Sequence, residues 1–78
     1  MTFTVEVTRL EDMRWRAEIT DLPGCEVIGL RRDEALARVE ALALQALATR
    51  LATGRATPYD ADVTFRIPPA VGLSPRDL

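Results

Sequence analysis

Two runs near the start of the chain alternate strictly between apolar and polar residues. In residues 3–7, Phe3, Val5 and Val7 fall on one side of an extended chain, and Thr4 and Glu6 fall on the other. Residues 13–19 repeat the pattern, with apolar Met13, Trp15, Ala17 and Ile19. Glu11-Asp12 lies between the runs at the position of a hairpin turn. This period of two predicts a pair of half-buried antiparallel strands.

A turn, a short strand and a long helix are predicted next. Pro23-Gly24 favours a turn, and residues 25–28 then predict a third strand that Gly29 ends. Residues 33–53 carry apolar side chains at helical spacing over an unusually wide arc. Asp33 is the best candidate for the N-cap of this helix, and Gly54 fits the position just after its C-terminus.

The chain then returns to the sheet. Pro58 indicates a loop, residues 61–67 alternate again, and Pro68-Pro69 ends the fourth strand. We therefore predict an α+β fold with two layers and the element order β-β-β-α-β. One helix should cover one face of a sheet of order 3-2-1-4, with the last strand parallel to the first. The predicted domain spans residues 1–67, followed by a C-terminal tail, 68–78.

Composition narrows the possible functions. The 78 residues carry a net charge of −2, and all ten basic residues are arginine. This balance argues against an autonomous nucleic-acid-binding protein but is compatible with a basic protein partner. A single cysteine cannot form an internal disulfide, the N-terminus does not resemble a signal peptide, and the most apolar segment is charged. We expect a cytoplasmic protein with no membrane association and no cofactor.

One motif resembles a known family. The residues are Asp21-Leu22-Pro23-Gly24-Cys25, then Gly29, then Asp33-Glu34-Ala35-Leu36 at the helix start. Together with the strand and helix pattern of residues 3–67, they resemble the HicB-like antitoxin family of bacterial toxin–antitoxin systems. The resemblance implies a partially degraded ribonuclease-H-like fold and a protein partner, a HicA-type ribonuclease toxin.

The chain departs from the family pattern in two places. Arg31 stands where the family commonly has a Thr or Ser as N-cap. Many HicB antitoxins also carry a C-terminal DNA-binding module, and the residues after Ile67 are too few for one. The resemblance therefore does not imply direct nucleic-acid binding by this chain alone.

Catalytic groups are scarce. Cys25 could be a nucleophile, but the chain has no His to activate it, and a small buried residue is the simpler interpretation. Two carboxylate pairs, Asp21 with Asp33 and Glu11 with Asp12, could serve metal or acid–base chemistry. We predict no catalytic residue and no metal site. The alternative hypothesis is a residual, magnesium-dependent nuclease activity that would use such a carboxylate pair.

Two groups of charged residues are candidates for binding. Arg31-Arg32 before the helix could hold a phosphate or could simply be solvated. The polar face of the sheet is the candidate partner-binding surface, and cross-strand ion pairing of Glu6 with nearby arginines is expected there. An ordinary solvated face is the alternative, and both interpretations remain open. The candidate residues are Glu6, Arg14, Arg16, Glu18 and Arg66.

The width of the apolar helix arc suggests self-association. Leu42 and Leu44 lie at opposite edges of the arc, so one sheet face cannot cover both deeply. We predict a homodimer or higher homo-oligomer, formed through the flank of the helix or through a sheet edge.

These observations predict a non-enzymatic antitoxin that binds and neutralises a HicA-type ribonuclease toxin. The alternative is a stand-alone oligomeric HicB-like domain with a structural or regulatory role and no toxin partner.

Overall fold

The two alternating runs form a β-hairpin in the computed structural model of the chain, which describes residues 1–69. β1 spans Thr2–Arg9 and β2 spans Trp15–Ile19, paired antiparallel with Val5 opposite Ile19. The connection is one residue longer than the predicted Glu11-Asp12 turn, because Met13 lies in the turn at a φ of +73° and its N–H donates to the Leu10 carbonyl. The prediction that Met13 belongs to the second strand is therefore wrong.

Two further strands complete a mixed sheet. β3 (Glu26–Gly29) pairs antiparallel with β2, and β4 (Thr64–Arg66) pairs parallel with β1. The order is β3-β2-β1-β4. The predicted α+β layout and strand order are confirmed.

One helix, α1 (Arg32–Ala52), covers one face of the sheet. Its buried residues are Ala35, Leu36, Val39, Ala43 and Leu47. They pack on the inward-facing strand residues, of which Val5, Ala17 and Ile19 are almost completely buried. Phe65 on β4 is half-buried, and its ring centroid lies 6.0 Å from that of Phe3. Within residues 1–69 no helix combines the length and apolarity needed to cross a membrane.

The start of α1 differs from the prediction. Arg31 is the N-cap, in an extended conformation and without a capping side-chain hydrogen bond. Asp33 lies inside the first turn, so its predicted role as N-cap is wrong. Glu34 does not supply this cap, since its Oε1 accepts a hydrogen bond of 2.8 Å from the Leu30 N–H, which precedes the N-cap and is not one of the first-turn donors.

The end of α1 follows the expected chemistry. Gly54 has a φ of +77°, and its N–H donates to Leu51 while the Arg55 N–H reaches back to Arg50. These two bonds define a Schellman motif, which satisfies carbonyls at the helix end. A short 3₁₀ helix, Pro58–Ala61, precedes β4. Ala61 is therefore not part of the fourth strand, which is shorter than predicted. Of the predicted tail, 68–78, residues 70–78 lie outside the described residues.

Candidate functional site

The outer face of the sheet carries a row of three glutamates. The register places Glu6 opposite Glu18, and Glu18 opposite Glu26, so the row crosses β1, β2 and β3. All three side chains alternate with inward-facing core residues, so they lie on the face that α1 does not cover. Directly opposed like charges on neighbouring strands destabilise a sheet. The row therefore concentrates negative charge and lowers the stability of the free protein.

The arginines on this face do not pair as predicted. Arg16 Nη1 lies 3.8 Å from Glu26 Oε2, and Arg14 Nε lies 2.6 Å from Asp12 Oδ2 in the hairpin turn. Neither arginine pairs with Glu6, so that part of the prediction is wrong. The reason is register, since Glu6 has Glu18 and not an arginine opposite it.

The predicted partner-binding residues thus lie in three places. Glu6, Arg16 and Glu18 lie close together on the strands, while Arg14 belongs to the turn end and pairs with Asp12. Arg66 lies opposite Thr4 at the edge formed by β4. The sequence prediction omitted Glu26, which the structure adds to the row. The sequence pattern could have identified Glu26, because it occupies an outward position of the predicted third strand. That strand was expected to lie next to β2, whose outward face carries Glu18.

The motif Asp21–Cys25 is a structural corner. Leu22 and Cys25 are buried, and the Leu22 N–H and the Cys25 N–H donate to Ile19 and Leu22 respectively. Asp21 Oδ2 accepts a 3.2 Å hydrogen bond from the Thr4 N–H, one residue beyond the last β1–β2 pair. The carboxylate thereby continues the ladder where β2 has ended.

Cys25 is in an environment that suppresses thiol reactivity. Its side chain is 5% exposed, and its Sγ lies 3.7 Å from the Val39 carbonyl, to which the thiol donates. Burial raises the pKa of the Cys25 thiol. A protonated, covered thiol is a poor nucleophile, which supports the interpretation of Cys25 as a core residue.

The candidate carboxylates do not converge. Asp21 bonds to Thr4, and Asp33 lies in the first turn of α1. Asp12 accepts hydrogen bonds from the backbone N–H and the side chain of Arg14, which lower the pKa of the Asp12 carboxyl. Among residues 1–69 no group of three or more His, Cys, Asp or Glu side chains is arranged to hold a metal ion.

The two arginines before α1 have separate roles. Arg31 is exposed at the N-cap, whereas Arg32 is half-buried and donates from Nη2 to the Pro68 carbonyl at 2.6 Å. Arg32 thereby connects the start of the helix to the segment after β4. The two guanidinium groups therefore do not act together as an anion clamp in this conformation.

An open cleft of about 250 Å³ separates the motif corner from the second half of α1. Its walls include Leu22 and Cys25 on one side and Leu42, Ala46 and Arg50 on the other. The sequence prediction did not identify it, because the cleft depends on the distance between corner and helix. Leu42 packs at the edge of the core, while Leu44 is 48% exposed on the outer side of α1. Their role in an oligomer interface stays a prediction.

Comparisons of the chain with models of protein families, with curated proteins and with solved structures found no match. The HicB-like resemblance therefore stays a prediction based on the motif residues.

Proposed function

We propose that this protein is a non-enzymatic antitoxin that binds a small basic ribonuclease of the HicA type in the cytoplasm and neutralises it. The observation that carries the proposal is the row of Glu6, Glu18 and Glu26 on the uncovered face of the sheet. A row of carboxylates that repel one another in the free protein gains most from a partner that brings arginine or lysine to it.

The chemistry of the remaining residues agrees with a binding role. Cys25 is covered by the core, and the candidate carboxylates are dispersed over the hairpin turn, the motif corner and the first turn of α1. The glutamate row lies on rigid strands of a paired sheet, which favours a preformed docking surface over one that must order on binding.

The test is co-expression with the product of a neighbouring gene that encodes a small basic ribonuclease. We expect that product to arrest growth alone and to be harmless when this protein is present. Glu18→Arg, at the centre of the row, should abolish rescue and weaken binding by purified protein. Glu11→Arg in the hairpin turn makes the same change in net charge and should still rescue. Failure of the unmodified protein to rescue, or equal effects of the two variants, would contradict the proposal.

A stand-alone oligomeric domain is the second candidate function. It is supported by the edge of β3, where the Ile28 N–H and the Glu26 carbonyl have no hydrogen-bond partner among residues 1–69. A gene with no small basic neighbour would favour it. In that case the protein should self-associate with no toxin partner to neutralise.

A further inference from the structure

The outer edge of β3 presents backbone groups in a defined pattern. The Ile19 N–H donates to the Cys25 carbonyl at 2.9 Å, which fixes the phase of the β2–β3 ladder. In an antiparallel ladder, every second residue directs its N–H and C=O toward the neighbouring strand. Val27 therefore faces β2, as Cys25 does, whereas Glu26 and Ile28 direct their backbone groups toward the free edge.

Glu26 and Ile28 together direct two N–H and two C=O groups toward the free edge. Two of these four groups are hydrogen-bonded within the chain. The Glu26 N–H donates to the Gly24 carbonyl at 3.1 Å, and the Ile28 carbonyl accepts a 3.3 Å bond from Arg38 Nη1. The Ile28 N–H and the Glu26 carbonyl have no hydrogen-bond partner among residues 1–69. One donor and one acceptor thus remain, on either side of Val27.

The side chains of α1 confine pairing to this short stretch. Glu34 Oε1 accepts from the Leu30 N–H, which is the next outward-directed donor along the edge, and it lies 3.8 Å from Arg38 Nη1. The Glu34–Arg38 pair therefore closes the edge on the C-terminal side of Ile28. Charged side chains at an edge strand commonly limit pairing in this way.

We propose that the β3 edge is the docking site for a second copy of this chain, paired antiparallel about a two-fold axis at Val27. In this arrangement the Ile28 N–H of each copy donates to the Glu26 carbonyl of the other. The sheet becomes continuous across the two copies. This proposal does not depend on the antitoxin function.

The free groups favour a second copy over an unrelated extended peptide. A peptide strand pairing at Glu26 and Ile28 would offer a carbonyl to the Glu26 N–H and an N–H to the Ile28 carbonyl. Those two groups are already bonded to Gly24 and Arg38, so the peptide would keep two unpaired polar groups. In a second copy, the groups at these two positions are the Ile28 carbonyl and the Glu26 N–H, which are already bonded to its own Arg38 and Gly24. The edge is complementary to itself.

The opposite edge of the sheet is less suited to pairing. β4 has three residues, and Pro68-Pro69 follows it after Ile67. Short edge strands and prolines, which lack the N–H donor, both disfavour the addition of a strand.

Ile28→Pro tests the proposal by removing the donor. The Ile28 N–H faces away from β2, so proline at this position deletes no ladder bond within the chain. In sedimentation equilibrium, the 78-residue chain should show a monomer–dimer equilibrium. Because the two-fold axis uses this donor twice, Ile28→Pro should raise the dissociation constant by about tenfold or more. Circular dichroism should confirm that the variant is folded.

Two charged substitutions at residue 28 test the proposed register without introducing a proline. In the proposed register, the side chain of residue 28 lies opposite Glu26 of the other copy, on the outer face. Ile28→Lys and Ile28→Glu remove the same apolar side chain, but Ile28→Lys should dimerise about tenfold more tightly than Ile28→Glu. Equal dissociation constants for these two variants would overturn the proposed register.

Two other outcomes would overturn the proposal as a whole. One is a wild-type protein that stays monomeric at high micromolar concentration. The other is an Ile28 amide whose hydrogen exchange is equally slow at all protein concentrations, which would mean that another part of the same chain covers the edge. The proposal expects exchange at Ile28 to slow as the dimer forms.

Discussion

Gly29 is a residue at which the sheet closely approaches the start of the helix. A Cβ at this position would lie 2.9 Å from Glu34 Oε1 and 3.0 Å from the Ala35 backbone nitrogen. The first contact involves a flexible side chain, whereas the second involves the helix backbone. The close approach of the helix backbone therefore favours glycine here, and its φ is not in the left-handed region.

We expect Gly29→Ala to lower the free energy of unfolding by about 1–3 kcal/mol, the usual cost of overfilling a packed site. Urea unfolding of the two proteins measures the difference. Shortening the neighbour in the double variant Gly29→Ala/Glu34→Ala should not restore stability, because the contact with Ala35 remains. A variant at least as stable as the wild type would contradict the close approach, because alanine usually stabilises a chain where it fits without strain.

Cys25 should be a slow-reacting thiol in the folded protein. Because burial raises its pKa, the thiolate is rarer than in an unfolded chain at the same pH. We expect little modification by a thiol reagent at neutral pH and rapid modification after unfolding in urea. Fast, stoichiometric modification of the folded protein would contradict the burial of this side chain.

The same pKa shift links stability to pH. The folded state holds the Cys25 proton more tightly than the unfolded state, whose thiol titrates at the ordinary pKa of a cysteine. Its contribution to stability is therefore complete below that ordinary pKa and decreases as the pH rises toward the folded-state pKa. Urea unfolding at neutral and alkaline pH should show this decrease in the free energy of unfolding. In the Cys25→Ala variant, the part of the decrease that comes from the thiol should be absent.

At the scale of elements, the weakest point of the helix is its N-terminus. Arg31 occupies the N-cap with the extended backbone that caps adopt, but its side chain makes no capping bond and adds positive charge near the helix dipole. Arg31→Ser should raise the free energy of unfolding by about 0.5–2 kcal/mol by supplying an acceptor for the first turn.

Arg31→Ala is the matched control for this change. It removes the same charge without supplying a cap, so the difference in unfolding free energy between the serine and alanine variants isolates the cap. Equal stabilities of the two variants would mean that the serine hydroxyl makes no capping bond to the first turn of α1.

The element pattern of the fold could be predicted from the sequence because most elements have one clear period, and because the Pro23-Gly24 turn and Gly29 delimit β3. Alternation in residues 3–7 and the long apolar arc before Gly54 identify β1 and α1 without tertiary information. The boundaries could not be predicted as well. Met13 fits the alternating pattern, yet the hairpin places it in the turn at a positive φ, and Ala61 fits β4 but belongs to a 3₁₀ helix.

At the scale of the whole molecule, the candidate surface could be predicted only in part. Alternation placed Glu6 and Glu18 on the outer face, but their direct opposition depends on register. Glu26 joined the row because a four-residue strand pairs with β2 at one particular offset. A sequence pattern assigns residues to a face, whereas neighbours on that face are decided by turn lengths and by packing of the opposite face.

The glutamate row leads to a prediction that joins stability to binding. Glu18 has a like charge opposite it on both sides, so Glu18→Gln removes two repulsive pairs while keeping the size of the side chain. We expect the free protein to gain about 0.4–2 kcal/mol of unfolding free energy, with less gain at high salt. The same variant should bind a basic partner more weakly, because the centre of the complementary charge is lost.

Glu11→Gln separates the row from net charge. It removes one negative charge from the hairpin turn, where no glutamate lies opposite on a neighbouring strand. Glu11→Gln should change the free energy of unfolding and the affinity for the partner less than Glu18→Gln does. If Glu18→Gln instead left the protein less stable, or bound the partner as tightly as the wild type, the row would be an ordinary solvated face. A stabilising change that impairs binding would indicate that the opposed carboxylates are retained for a partner, since the isolated fold is more stable without them.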